Sequence, residues 1–386
     1  MTTPDENLIK VLDAHQSAAR QAFLHPHERI EPDPFEPVRV AMDAHPDFAK
    51  EESRFFLGRQ LYFNNHSQAS NLLRVAVKGG APEALRWYRR IRAVRNTGVR
   101  VIATVYGLWV ASPVTLSNGI KIVQRRDLSN HPNSLAAKAP SGFFNGHNAA
   151  AVLEIESVAA ASREQHQKSH QRFLELVEQI RLVITACTLS DDAAPTVGEA
   201  WIEFLDPELE LATVARSWQM SRHEGRHADL PATIDDAMAA WIEKYLQLPQ
   251  DVASKCRVPM ERLNLARRRL HIGDQAIDAG VGLESLLLGD SRGDLTHRLS
   301  VRTALLLGRS LKERKEVKDA VRDFYEVRST RVHGNAAPVS DQDRERVAKG
   351  LHLLLRAIRA VIDARVMPAP ATWELTGGPS ENRFHE

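Results

Sequence analysis

Up to about residue 230 the apolar positions change period repeatedly; beyond it they keep to one. In "VRVIATVYGLWV", residues 99–110, β-branched and aromatic residues follow one another closely, which predicts a buried strand. "VTLSNGIKIV" sets Asn118-Gly119 between alternating apolar residues, the turn chemistry of a hairpin. "AAVLEIESV", residues 150–158, predicts a partner strand. Residues 171–189, "QRFLELVEQIRLVITACTL", place Phe173, Leu174, Val177, Ile180, Leu182 and Ile184 on a broad apolar face and predict a helix. "HPHERIEPDPFEP", with four prolines, predicts a loop between a short N-terminal helix and the rest. Residues 1–230 therefore predict an α+β region whose role the pattern does not reveal.

From residue 231 the period is helical. "TIDDAMAAWIEKYLQL" predicts a helix capped by Thr233, with Asp235 and Asp236 in its first turn, where acids suit the positive end of the helix. One long helix is expected through "MERLNLARRRLHIGDQAIDAGVGLESLLLG", then one each for "HRLSVRTALLLG", "SLKERKEVKDAVRDFYEVRSTRVHG" and "SDQDRERVAKGLHLLLRAIRAVIDARV". Gly289, Gly308 and Gly334 stand where three of them stop. The expectation is an α+β N-terminal region followed by an all-α bundle of five helices over residues 231–366, with an irregular tail, 367–386.

Composition narrows the class without naming a function. The chain has 386 residues, 43% hydrophobic and 26% charged, ordinary for a soluble globular protein of two or three domains. The N-terminal "MTTPDENLIK" lacks a signal-peptide core, and the longest apolar run, 101–111, is too short for a bilayer, so a cytoplasmic protein without a membrane partner is expected. Cys187 and Cys256 lack a Cys-x-x-Cys partner and imply neither disulfide framework nor zinc site. The net charge of +2 hides an asymmetry: residues 233–366 carry 24 basic against 19 acidic residues, and 298–333 alone carry ten against five. That leans toward an anionic partner such as RNA, although a solvated Arg- and Glu-rich helix face accounts for it as well.

Two motifs need weighing. His223-Glu224-Gly225-Arg226-His227 fits H-E-x-x-H, whose histidines on a helix could hold zinc with Glu224 as general base and Glu243 as a third ligand. Gly225 weakens that helix, Arg226 brings a cation to the dication, and Asp229-Leu230-Pro231 closes the segment, so no metal is expected. Arginine and histidine separated by four residues occur five times, at Arg20/His25, Arg126/His131, Arg222/His227, Arg292/His297 and Arg328/His333. Spacing alone cannot choose among them.

Surroundings can. "AIDAGVGLESLLLGDS", "HRLSVRTALLLG" and "FYEVRSTRVHG" resemble, in order and spacing, the pattern of Apea-like HEPN domains over roughly residues 231–366. The resemblance implies a HEPN-type helical bundle that dimerises, in a superfamily rich in metal-independent endoribonucleases of toxin and antiphage systems. It maps the superfamily's Arg-x4-6-His motif onto Arg328 and His333, with no cofactor. Active members often carry Asn, Asp or His directly after the arginine; this chain has Ser329, whose hydroxyl can still bond a phosphate. Inactive HEPN modules that bind RNA or assemble with partners also occur.

The chemistry suits these residue types. RNA brings its own nucleophile, the 2′-hydroxyl, so cleavage needs proton transfer, which histidine supplies near neutral pH, and positive charge on the phosphate, which arginine supplies. A two-fold dimer would place two such pairs in one cleft. Arg331 and Asn335 are candidate phosphate or supporting contacts, Glu284 is placed to hold Arg328 across the bundle, and Tyr325 is a core or interface residue. The alternatives remain that Arg328 only pairs with Glu284 and that His333 only caps a helix. The opposite charge balance of residues 1–230 is consistent with a regulatory role for that region.

Overall fold

The computed structural model describes residues 2–25, 33–48, 52–63, 65–138, 148–160, 162–213, 219–220, 231–288, 294–332, 340–369 and 373. Helix α1, Pro4–Leu24, starts where it does because the Thr3 hydroxyl accepts from Glu6 N and the Glu6 carboxylate accepts from Thr3 N, a reciprocal cap. It runs for 21 residues, longer than the short helix expected. Helix α2, Glu36–Asp43, takes its first two residues from the expected proline loop, Pro37 being tolerated in a first turn. Strands β1, Glu52–Phe56, and β2, Arg59–Phe63, form an antiparallel hairpin in register Glu52↔Phe63. Its turn is Leu57-Gly58, with φ of 50° and 86°. Helices α3, Asn65–Gly79, and α4, Ala81–Ala93, follow.

The predicted strand 99–110 is two strands: β3, Asn96–Tyr106, and β4, Leu108–Trp109. Gly107 divides them with φ of 81°, and a Cβ there would stand 3.0 Å from Pro195 Cα. The Asn118-Gly119 hairpin forms as expected between β5, Val114–Thr115, and β6, Lys121–Gln124, with Leu116 N donating to Ile120 O. Helix α5 is Pro132–Lys138, and the partner strand expected at 150–158 forms as β7, Ala149–Val158, which pairs antiparallel with β6. Helix α6, Arg163–Ala186, starts before residue 171 and ends in a 3-10 turn. Then come β8, Thr196–Phe204, α7, Pro207–Leu211, β9, Gln219–Met220, and β10, Ala232–Thr233. The main sheet has the order β5-β6-β7-β3-β8-β9, and β10 pairs parallel with β4.

Beyond β10 the described elements are helices: α8, Asp236–Leu246, α9, Gln250–Arg268, α10, Ile272–Leu287, α11, Leu295–Leu307, α12, Leu311–Val332, and α13, Asp341–Ala364. Three expectations change. Asp235, not Thr233, caps α8, its carboxylate accepting from Met238 N at 2.8 Å, while Thr233 lies in β10. The single long helix is two, α9 and α10, because Arg269 turns extended (φ −71°, ψ 139°), its carbonyl accepting from the side-chain Nε2 of Gln275 at 2.9 Å. Gly308 ends α11 in an extended conformation, φ −96°, rather than a left-handed one. Gly289 and Gly334 lie outside the described residues, as does nearly all of the expected tail; Trp373 there is buried.

The chain divides into two units, Met1–Ile102 with Leu153–Val177 and Trp201–Gln219, and Ala103–Val152 with Glu178–Ala200 and Met220–Glu386. In the first, Arg59 is buried against the Phe204 ring and pairs with Glu210 at 2.6 Å. In the second, Arg267 donates Nη1 to the carbonyls of Thr188, Ser190 and Ala193 at 2.8–2.9 Å, and Asn264 donates to Thr188 Oγ1 and Pro195 O. Burial pushes the Arg267 pKa down to about 10.

Candidate functional site

The candidate site is built by facing turns of α10 and α12. On α12, Tyr325 and Arg328 are three residues apart and share a side of the helix. On α10, Gly280 and Glu284 are four apart and do the same. Tyr325 is buried, and its hydroxyl donates to Glu284 Oε1. Arg328 Nη2 meets the same oxygen at 3.0 Å. The guanidinium carbon lies 4.7 Å from the Tyr325 ring centroid, a cation–π contact. The side chains of Arg328 and Glu284 keep 20% and 24% of their exposure, so the pair is sheltered yet reachable from solvent.

Burial pushes the Glu284 carboxyl above its usual range, and the neighbouring Arg328 charge pulls it part of the way back. Arg328 Nε is buried without a hydrogen-bond partner. Among the described residues the ion-pair partner of this guanidinium is Glu284. An arginine fork has five donors. Held on one side by carboxylate and ring, Arg328 therefore retains donors for an oxyanion.

Two further contacts hold α10 in place. Asp278 is buried between Arg262 and Arg269 of the preceding segment, at 2.8 and 2.9 Å. Arg302 of α11 is buried and donates Nη1 to Leu287 O at 2.9 Å and Leu288 O at 3.4 Å, satisfying carbonyls that the end of α10 leaves open. Sequence reasoning missed Arg302 and Gly280. A basic residue inside the apolar run "VRTALLLG" is the signal that could have pointed to Arg302; a helical glycine sends none of its own.

The structure thus brings together Glu284, Tyr325 and Arg328. Ser329, next along α12, is exposed and does not join them. The backbone of Arg331 continues α12, which runs through Val332, but its side chain is outside the described residues. His333 and Asn335 lie outside them as well, as does the whole H-E-x-x-H segment, 223–227.

Among the described residues no group of three or more His, Cys, Asp or Glu side chains is arranged to hold a metal ion. Cys187 and Cys256 are free and buried, and burial pushes both thiols up to about 12. No described helix is long and apolar enough to cross a membrane. No protein-family model, curated protein or solved structure gives a significant match to the chain.

Proposed function

We propose that the chain is a metal-independent, cytoplasmic endoribonuclease of HEPN type, with a composite site made by Arg328 and His333 of two copies and a role in a toxin or antiphage system. The observation that carries this reading is the state of Arg328. It is fixed by Glu284 and Tyr325 in the last turns of α12, five residues before His333, and its side chain keeps 20% of its exposure, so the outward end of the guanidinium is open to a ligand. Such a guanidinium suits a non-bridging phosphate oxygen and stays charged throughout the reaction. Two imidazoles from a homodimer supply the acceptor for the 2′-hydroxyl proton and the donor for the leaving 5′-oxygen. Residues 1–230 are then the regulatory part.

The test is incubation of the full chain with single-stranded RNA in EDTA. Cleavage leaving 2′,3′-cyclic phosphate ends is expected, and Arg328→Ala and His333→Ala should each reduce it roughly 10²-fold or more at unchanged folding. Cleavage that survives both changes would overturn the assignment.

The same ion pair favours a second reading, a catalytically inactive HEPN module that binds RNA or assembles with a partner, because Arg328 already has a carboxylate. Binding of the same RNA without cleavage would select it.

A further inference from the structure

Helix α10 contains glycines at 280 and 282, although glycine inside a helix costs backbone entropy that alanine does not. Each must be judged by what a Cβ would meet. At Gly282 it would stand 2.7 Å from Leu354 Cδ2 and 3.3 Å from Arg262 Cβ. On α13, the Cβ of Gly350 would run into the Phe324 ring. Both are packing glycines that let helices approach.

Gly280 differs. The three atoms nearest its absent Cβ all belong to Arg328: Cδ at 2.6 Å, Nε at 2.7 Å and Cγ at 3.7 Å. Among the described residues no core side chain and no backbone of another element stands within that reach. The bare face of α10 is a slot for the arginine stem, and it is the reason Nε is buried with no partner.

We infer that Gly280 is a positioning residue for Arg328: its missing side chain seats the guanidinium against α10, between Glu284 and the Tyr325 ring, and aims the remaining donors outward. A methyl at this position displaces only a flexible side chain, so the helix tolerates it and Arg328 does not. The expected signature is therefore a division between stability and site geometry. Gly280→Ala should melt no lower than the parent, since alanine is the better helix former, while Arg328 is driven off its seat. The functional consequence rests on the reading of Arg328 as a phosphate ligand; the displacement itself does not.

The experiment uses the full chain carrying Gly280→Ala, with Arg328→Ala and Arg328→Lys as references. Arginine Nε–H resonances of the ¹⁵N-labelled protein are recorded first, that of Arg328 being assigned by its loss in Arg328→Lys. In Gly280→Ala this resonance should shift and exchange faster with solvent, with the remaining arginine signals in place. Cleavage of single-stranded RNA should fall roughly 10-fold or more, as expected when a reacting-site group is misplaced by about 1 Å, and the melting temperature should hold. An unmoved Arg328 resonance overturns the positioning role, whatever the cleavage assay shows. If Arg328→Ala silences the enzyme and Gly280→Ala does not, the role is overturned as well. If neither change affects cleavage, or the parent does not cleave, the nuclease reading fails, and the resonance alone decides about Gly280.

Discussion

Tyr325 meets Arg328 twice, with its ring 4.7 Å from the guanidinium carbon and with its hydroxyl on Glu284 Oε1, the oxygen that Arg328 Nη2 contacts. The two contributions can be separated. Tyr325→Phe keeps the ring and removes the hydroxyl bond, and should cost about 0.5–1.5 kcal/mol in a urea titration. Tyr325→Leu loses the ring contact too and should cost more. Equal losses in the two variants would show that the ring holds nothing.

The raised pKa of Glu284 has a definite sign in stability. The folded protein binds this proton more tightly than the unfolded chain, so the contribution is fully present below the unfolded pKa, about 4.3, and is lost as pH rises through the folded value. Relative to Glu284→Gln, which cannot titrate, the parent should gain stability as pH falls from neutrality, levelling off near about pH 4. Unfolding curves of the two proteins across that window measure the difference. A difference that does not change with pH would mean that burial leaves this carboxyl unperturbed.

Gly350 should respond oppositely to Gly280. A methyl there meets the ring of Phe324, which is fully buried and has nowhere to retreat. Gly350→Ala should therefore destabilise the protein by about 1–3 kcal/mol, the range for an overpacked core. Thermal melting of the two alanine variants side by side checks the contrast.

Arg267 predicts the behaviour of a fragment. Its Nη1 is satisfied by carbonyls at residues 188, 190 and 193, and Asn264 by residues 188 and 195. A chain beginning at residue 231 lacks all of these acceptors and leaves the Arg267 guanidinium without its seat. Such a fragment should melt below the full chain, and Arg267→Met should cost stability in the full chain but little in the fragment, where the acceptors are already gone, as thermal melting of the four proteins would show.

Much of the architecture was legible. The β-branched and aromatic run at 99–110, the Asn118-Gly119 signal and "AAVLEIESV" pointed to β3, β5, β6 and β7 because side-chain shape and turn chemistry act locally. The β1–β2 hairpin escaped because its turn places Leu57 at φ 50°, where Asn or Asp is the usual sign. The break between α9 and α10 escaped for a related reason: "RRRLHI" contains neither Gly nor Pro, and the interruption depends on the tertiary contact of Arg269 with Asp278 at 2.9 Å. At the site, the Glu284–Arg328 pairing was foreseeable from spacing and resemblance. Gly280 was not, since read along the chain it only weakens a helix; its use emerges when a second helix lays an arginine across it.

The path of the chain also orders events during synthesis. It passes from one unit to the other after residues 102, 152, 177, 200 and 219. Neither unit can close on a contiguous stretch as it leaves the ribosome. The first must wait for its last segment, ending at Gln219, and the second for helices made afterwards. Because α12 follows eleven other described helices and all ten described strands, Arg328 reaches Glu284 only after the 310 residues before α12 have been made. A nascent chain therefore emerges with this site unassembled, and a ribosome stalled anywhere before α12 releases a product without it.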